Sequence, residues 1–506
     1  FVLLIACINY MNLTTARFAN RAKEIAIRKV AGASRGRLTR QFLTEAFLLT
    51  TVALLLALML VKLLLPSFNA FTEKQLTLNN QTDFRIYAGV FIIFITGLLS
   101  GMYPALFQSA AKPLLLLKNK VNIGKGNLSM RRSLVVFQFA LSIIMIIATI
   151  VVYMQMKYVS TKDMGFNKEE LLVVDINSGK IRQSAEAIKT SFAALAQVKN
   201  VSVSSRVPGE WKDLPKVKVK NEKIQTPEGD DMYFIGVDDQ FLETFQIDLL
   251  QGRNFAAGSI ADSSAVLINE TAAKALGITQ PSEQLIEIPL DQPFKASVIG
   301  IVKDFNFQSL REPLAPMVLG FQKNPVQSID YFAVRVTTDN MSKTLRQMDA
   351  VLHSFDQNHL FEYHFLDKQW ELFYREDRVR GTIFLIVAIL TIVIACLGLF
   401  GLATYAAEQR IKEIGIRKVL GASVSSIVSM LSADFLKLVC IAAVIAFPVA
   451  WLAMNKWLAD FAYRIHISWW IFVIAGITAF LIALFTISFQ AIKAAVANPV
   501  KSLRTE

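Results

Sequence analysis

Lys23-Glu-Ile-Ala-Ile-Arg-Lys-Val-Ala-Gly-Ala-Ser34 returns 389 residues later as Lys412-Glu-Ile-Gly-Ile-Arg-Lys-Val-Leu-Gly-Ala-Ser423, identical at ten of twelve positions. Each copy follows one apolar run and precedes another, so the repeat marks a duplicated membrane module. The two copies also end alike: Lys112-Pro113-Leu114-Leu115 corresponds to Asn498-Pro499-Val500-Lys501 at an offset of 386.

Seven apolar segments surround these stretches, at about 1–13, 42–65, 86–110, 132–155, 381–405, 432–454 and 468–490. A bilayer span needs roughly 20 such residues. The first segment is short, and Phe1–Asn12 reads as the tail of a helix already under way. Symmetry with the second copy predicts a further span and outer region before it, giving an intact protein of eight spans and two outer domains.

Charge gives the orientation. The chain is 54% apolar, 18% charged and +13 overall, yet residues 158–378 hold 24 Lys and Arg against 31 Asp and Glu. The remainder carries +20, crowded into short loops beside apolar helices. That is the positive-inside pattern of a protein threaded through a lipid bilayer, not a nucleic-acid face. The loops at 14–41, 111–131 and 406–431 and the C-terminal tail are expected in the cytoplasm. The 66–85 loop, residues 156–380 and the 455–467 loop fall outside.

The fold class expected is therefore a multispanning α-helical membrane protein of two repeated modules with a large α+β extracytoplasmic domain. Its parts are a first module at 1–131, a helix at 132–155 opening the second module, an outer domain at 156–380 and the rest of the second module at 381–506. Strand patterns in the outer region occur at Leu171–Val174, Val201–Ser204, Tyr233–Val237, Ala265–Ile268, Ala296–Val302 and Tyr331–Val336. Helical patterns occur at Ile181–Ala196, Glu270–Leu276 and Ser342–Phe355, and a stalk from Leu366 to Arg380 runs into the 381–405 span.

The repeated stretch itself should form a short amphipathic helix stopped by Gly32 or Gly421, with Ser34 or Ser423 capping the next helix. Ile27, Val30 and Ala31 share one face, as do Ile416, Val419 and Leu420. Arg21, Glu24 and Arg28, matched by Arg410, Glu413 and Arg417, can pair along the helix. A basic interfacial helix would need charge and amphipathicity, but not this identity between copies. A docking surface for a cytoplasmic partner explains the identity. Its residues are Lys23, Glu24, Ile27, Arg28, Lys29, Val30, Gly32 and Ser34, with Lys412, Glu413, Ile416, Arg417, Lys418, Val419, Gly421 and Ser423.

Other residues carry less. Cys7, Cys396 and Cys440 lie in apolar runs, and the four histidines have no metal-ligand spacing. Glu45, Lys62 and Lys437 near span ends read as snorkelling charges. Pro104 and Pro448 are expected to kink their spans, and Trp451, Trp457, Trp469 and Trp470 form an interfacial belt. Asp304, Glu312 and the Asp238-Asp239 pair read as solvated loop carboxylates. No nucleophile–base arrangement supports catalysis, and no G-x-x-x-x-G-K-[S/T] occurs; Gly32-Ala-Ser-Arg-Gly36 lacks the lysine.

Glu-Ile-(Ala/Gly)-Ile-Arg-Lys-Val-x-Gly-Ala-Ser between spans resembles the FtsX-like permease domain of MacB-type ABC transporters. The outer region resembles the MacB-like periplasmic core domain through Phe241-Leu-Glu-Thr-Phe245, Leu250-Gln-Gly-Arg253, Val266-Leu-Ile-Asn-Glu270 and Val298-Ile-Gly-Ile-Val-Lys-Asp304. The resemblance implies a cell inner membrane protein whose basic loops dock a cytoplasmic ABC ATPase dimer, with ATP and Mg on that partner and no cofactor in this chain. It also implies a periplasmic adaptor, cargo or enzyme as an outer partner. This chain departs from single-module MacB exporters by its tandem modules and by having no attached ATPase within its residues. Export or efflux, and mechanical signalling to an outer enzyme such as a cell-wall hydrolase, both remain open.

Overall fold

A computed structural model describes the chain apart from residues 1, 78–83, 111–124, 210–213, 222–228, 282–283, 338 and 497–506. Within helices it also leaves out the side chains of 15–20, 22–23, 85–86, 103, 107–108, 125–131, 405, 409, 411–412 and 494–495. The chain divides into two units. One comprises Phe1–Met154, Arg378–Trp457 and His466–Glu506; the other comprises Gln155–Asp377 and Leu458–Ile465.

The first unit is helical. Its first elements are α1 (Val2–Val30), α2 (Arg35–Thr72), α3 (Phe84–Ala110) and most of α4 (Lys125–Thr161). Among the described residues, six helices are long and apolar enough to cross a membrane, and Val2–Thr14 forms a shorter apolar stretch. This makes the chain a multi-pass membrane protein. Helix is forced by the solvent: no water in hydrocarbon can satisfy an open backbone N–H or C=O. Threonines follow the same rule, Thr51 donating to Phe47 O at 2.8 Å and Thr96 to Ile92 O at 2.6 Å. On α2, Leu55, Met59 and Leu63 are all exposed, as expected of side chains that meet lipid tails.

Glycine brings α3 close to α2. A Cβ on Gly97 would lie 2.6 Å from Thr50 Cγ2, and one on Gly101 would lie 2.4 Å from Ala46 Cβ. Gly97-Leu-Leu-Ser-Gly101 thus works as a small-xxx-small contact, in which absent side chains let backbones approach. Helix α3 continues through Pro104.

The second unit is built on one mixed sheet. Among the described residues its strands are β1 (Leu171–Asp175), β2 (Val198–Ser204), β3 (Lys216–Asn221), β4 (Asp230–Val237), β5 (Leu249–Gly252), β6 (Ala265–Asn269), β7 (Leu285–Ile288), β8 (Phe294–Val302), β9 (Met317–Phe321), β10 (Tyr331–Val336) and β11 (Tyr363–Phe365). Spatial order is β11-β1-β10-β2-β4-β3-β7-β8-β6-β9, with β5 on β8. β4 pairs β9 in parallel, as β6 pairs β8; the other pairings are antiparallel.

The helices here are α5 (Gly179–Gln183), α6 (Ala185–Ala193), α7 (Phe241–Phe245), α8 (Glu270–Ala275) and α9 (Met341–Phe355). They cover two separate cores. Leu172, Val174, Val203, Phe332 and Val334 pack with Ile188 and Phe192 of α6 and Met348 and Leu352 of α9. Phe234, Val266, Ile268, Ile286, Val298 and Val318 pack with Ala272 and Ala273 of α8.

All six expected strands are present, as are the helices at Glu270 and Met341. The expected helix at Ile181–Ala196 is instead two, α5 and α6, broken at Ser184. Strands β3, β5, β7, β9 and β11 carry weaker patterns: three are four residues or shorter, and β3 (Lys-Val-Lys-Val-Lys-Asn) alternates lysine with valine at a half-exposed position. The stalk is one helix, α10 (Leu366–Gln409), of 44 residues. It is followed by α11 (Ile411–Val419), α12 (Val424–Leu458) and α13 (Trp469–Val496). Helix α12 continues through Pro448.

Candidate functional site

Both copies of the repeat end in the same backbone device. In the first, Gly32 N–H donates to Lys29 O at 3.1 Å and Ala33 N–H to Arg28 O at 2.9 Å. In the second, Gly421 N–H donates to Lys418 O at 3.1 Å and Ala422 N–H to Arg417 O at 2.9 Å. These paired bonds make a Schellman stop, which needs a left-handed residue just past the helix. Gly32 sits at φ +91° and Gly421 at φ +89°, each with open space where a Cβ would go. Conformation, not crowding, therefore selects glycine. Ser34 Oγ then accepts from Arg37 N at 3.4 Å and Ser423 Oγ from Ser426 N at 3.2 Å, starting α2 and α12.

The segment entering this stop differs between copies. α1 runs unbroken from Val2 to Val30, whereas the second copy breaks at Arg410 and restarts as the nine-residue α11. The short separate helix expected for both copies exists in the second alone.

Burial is duplicated as well. Ile25 and Leu38 face inward at 2% and 3% exposure, as do their counterparts Ile414 and Ile427 at 5% and 2%. Ile414 and Ile427 pack with Leu431 and Ala491. On the opposite face Ile27 and Val30 are 62% and 69% exposed, and Ile416, Val419 and Leu420 are 52%, 66% and 81% exposed. Ala31 is exposed too. Beside each apolar face stands an i,i+4 ion pair, Arg28–Glu24 and Arg417–Glu413, both at 2.8 Å. The arrangement is a small apolar knob with a charged border, twice over.

Not every expected docking residue faces outward. Lys29 Nζ donates to Ser109 O at 2.7 Å, holding the loop helix to the C-terminal end of α3, where a cation also meets the negative end of the helix dipole. Lys29 thus has a structural task. The side chains of Lys23 and Lys412 lie outside the described residues, as do the Lys112–Leu115 and Asn498–Lys501 endings.

Two further ion pairs tie the helices of each copy, and neither was expected. Arg21 pairs with Glu45 at 2.9 Å and Arg410 with Asp434 at 3.3 Å. Both members of the second pair stand 389 residues after those of the first. Glu45 is therefore an ion-pair partner rather than a snorkelling charge. That shared offset was the signal available to find it.

In the outer unit the reading of solvated carboxylates needs correction. Asp238 is fully buried, accepting from Lys189 Nζ at 2.5 Å, Ser202 Oγ at 2.7 Å and Val203 N at 3.1 Å. Burial pushes its carboxyl above the ordinary value, and Lys189 opposes the shift. Asp304 is half-buried and accepts from Thr271 N at 3.0 Å and Thr271 Oγ1 at 2.7 Å, capping the start of α8. Glu312 alone is exposed as expected. A charge that begins a loop next to a strand end is easily drawn under it by the fold, and sequence polarity does not reveal this.

The three cysteines are free thiols, and among the described residues no group of three or more His, Cys, Asp or Glu could hold a metal.

The family profile described as FtsX-like permease C-terminal matches residues 1–113 and 385–499, and that described as MacB-like periplasmic core domain matches 134–351. No curated protein matches the chain. Among solved structures, the periplasmic region of MacB from Actinobacillus actinomycetemcomitans is similar at 13% identity, covering 42% of this chain and 97% of that one, with a TM-score of 0.31. The extracellular domain of the noncanonic ABC-type transporter YknZ from Gram-positive bacteria is similar at 16% identity, covering 38% and 97%, with a TM-score of 0.28.

Proposed function

As the chain is a permease of the FtsX/MacB type, bearing a MacB-like periplasmic core domain, we propose that it is the membrane subunit of an ABC-type system served by a separate cytoplasmic ATPase. Its two FtsX-like copies act as the two halves of one permease. Each presents its exposed knob, Ile27–Val30–Ala31 or Ile416–Val419–Leu420, to one ATPase subunit. The basic loops lie in the cytoplasm of a cell with a periplasm, the protein spans the inner membrane, and ATP and Mg stay on the partner. ATP-driven closure of the ATPase pair moves the loop helices, and that motion passes through the spans to the outer domain for export or efflux.

The observation that carries this reading is the doubled docking element. The same stop, cap, ion pair and exposed apolar face occur in both copies. Evolution has little reason to hold an exposed apolar surface in two places without a partner to cover it.

Ile27→Asp together with Ile416→Asp should lower recovery of the ATPase in a detergent pull-down about tenfold or more, as removal of a central apolar anchor does. Glu24→Lys with Glu413→Lys should weaken it less, because rim charges contribute mainly to encounter. Full recovery in both double variants would overturn the docking assignment. Energy-dependent efflux by cells carrying the intact protein supports the transport reading. ATPase binding without efflux, with an outer enzyme captured by crosslinking, supports mechanical signalling instead.

A further inference from the structure

The 389-residue offset extends without a gap upstream of the repeat. Ile5-Ala6-Cys7 falls on Ile394-Ala395-Cys396, Leu13 on Leu402, and Arg21 on Arg410. It therefore assigns residues 2–20 of α1 equivalents in α10, and 21–30 equivalents in Arg410 and α11. On this register Asn9 is the counterpart of Gly398 and Asn12 that of Gly401.

Asn9 and Gly398 touch each other. A Cβ on Gly398 would lie 2.3 Å from Asn9 Oδ1 and 2.9 Å from Asn9 Cγ. Asn9 Nδ2 donates to Ile394 O at 3.1 Å, and Ile394 is the counterpart of buried Ile5. One turn on, a Cβ on Gly401 would lie 1.9 Å from Leu13 Cδ2. When a residue meets its own equivalent, a two-fold axis passes between them; that is the signature of an isologous contact. Both copies have the same expected orientation, so the axis runs along the membrane normal, as in parallel repeats of transporters.

The pairing is unequal in a directed way. Asparagine stands twice on α1, at positions three apart, and glycine stands twice on α10 at the equivalent places. Asn9 and Asn12 are 7% and 2% exposed. Two first copies brought together at this distance would set asparagine on asparagine, and each amide would have to move aside for the other's Cβ. Two second copies would leave a void and lose the bond to the carbonyl. Small residues at membrane helix interfaces serve close approach, and a buried polar residue there serves register.

We propose that α1 and α10 form a pseudo-two-fold seam whose Asn/Gly complementarity makes the first copy pair with the second copy of the same chain, so that one chain, not two, completes the permease. This rests on the reading above that the two copies act as halves. It adds that the pairing is intramolecular and coded at Asn9, Asn12, Gly398 and Gly401. Asn12 is buried, and among the described residues its amide oxygen and nitrogen have no hydrogen-bond partner.

The test uses the full chain in membranes, with Cys7, Cys396 and Cys440 replaced by serine. Asn9→Cys with Gly398→Cys should oxidise to a disulfide within one chain, since the contact lies within the reach of about 4 Å between β-carbons that the bond requires. A species of monomer mass with altered mobility is expected. A covalent dimer, or no crosslink while Ile414→Cys with Ile427→Cys does crosslink, overturns the seam. A swap gives an independent reading. Gly398→Asn alone should lower the melting temperature of the purified protein by about 2–4 °C through overpacking. Adding Asn9→Gly should restore it, because the two-fold then hands the new asparagine the carbonyl of Ile5. A double variant no better than the single one refutes the two-fold. ATPase recovery, measured on the same variants, separates the proposals: lost crosslinking with retained ATPase sinks the seam alone.

Discussion

Arg253 turns a four-residue motif into a physical constraint. Before it, Gly252 sits at φ +81°, and a Cβ there would lie 2.2 Å from Ile299 O. The Arg253 guanidinium then closes on Asp262 with two bonds, at 2.7 and 3.0 Å, and Ala256 N donates to the same carboxylate at 2.8 Å. The guanidinium holds the Asp262 carboxyl below its ordinary value. Because the folded value lies below the unfolded one, the pair's stabilisation is complete above about pH 4 and is lost as pH falls through the folded value. Asp262→Asn should cost about 1–3 kcal/mol at pH 7. It should also flatten the acid side of a melting-temperature profile between about pH 3 and 7. An acid limb as steep as that of the unaltered protein would remove this pair from the account. Asn269, in a neighbouring motif, is equally specific: it accepts from Ala272 N and Met317 N and donates to Ala315 O, each at 2.9 Å. Both side chains tie a strand end to a loop, a task that their motifs alone do not disclose.

Among the elements, the loop helix shows how much one glycine decides. Gly32 and Gly421 have free space around them but left-handed backbone. Alanine at either position should therefore cost about 1–2 kcal/mol, the penalty of a β-carbon in that conformation. Asparagine, which tolerates it, should cost less. Hydrogen exchange at the end of α1 or α11 is the measurement; equal protection in the alanine variants would mean that the stop does not set the helix end. The same element corrects the expectation of twin short helices. Arg410 at φ −100° and ψ 11° opens a break that α1 lacks, although Arg21 and Arg410 hold equivalent ion pairs. Identical sequence within the repeat fixes the stop and the exposed face, while the residues just before it differ and set whether the helix joins its span.

For the molecule as a whole, the segment Leu458–Ile465 belongs to the outer unit rather than to the helices it links in sequence. Ala462 N donates to Arg311 O at 3.1 Å and Tyr463 N to Leu310 O at 3.3 Å, while Gln155 Nε2 donates to Tyr463 O at 2.8 Å. Arg311 lies over the Phe461 ring at 4.8 Å and pairs at 2.5 Å with Asp377, whose side chain is buried. Leu310 and Arg311 thus grip the stalk and the 455–467 loop, and that loop in turn bonds the end of α4 through Gln155. Arg311→Ala should cost about 2 kcal/mol through the lost charge-assisted bond and ring contact, read as faster proteolysis within 455–467. Unchanged cleavage there would show that the grip does not depend on Arg311.

The apolar helices were legible in the chain because lipid imposes a one-dimensional rule: about twenty apolar residues to cross. The repeated stretch, its glycine stop and the six strongest strands were legible for a similar reason, since turn chemistry and alternation are local. What the tertiary structure alone decided is which distant residues meet. Asp238 became a buried partner of Lys189 rather than a solvated charge, Lys29 a tether to Ser109, and Asn9 a neighbour of Gly398. Those outcomes depend on close packing between elements tens to hundreds of residues apart, and no periodicity along the chain records the distance between two side chains that only folding brings together.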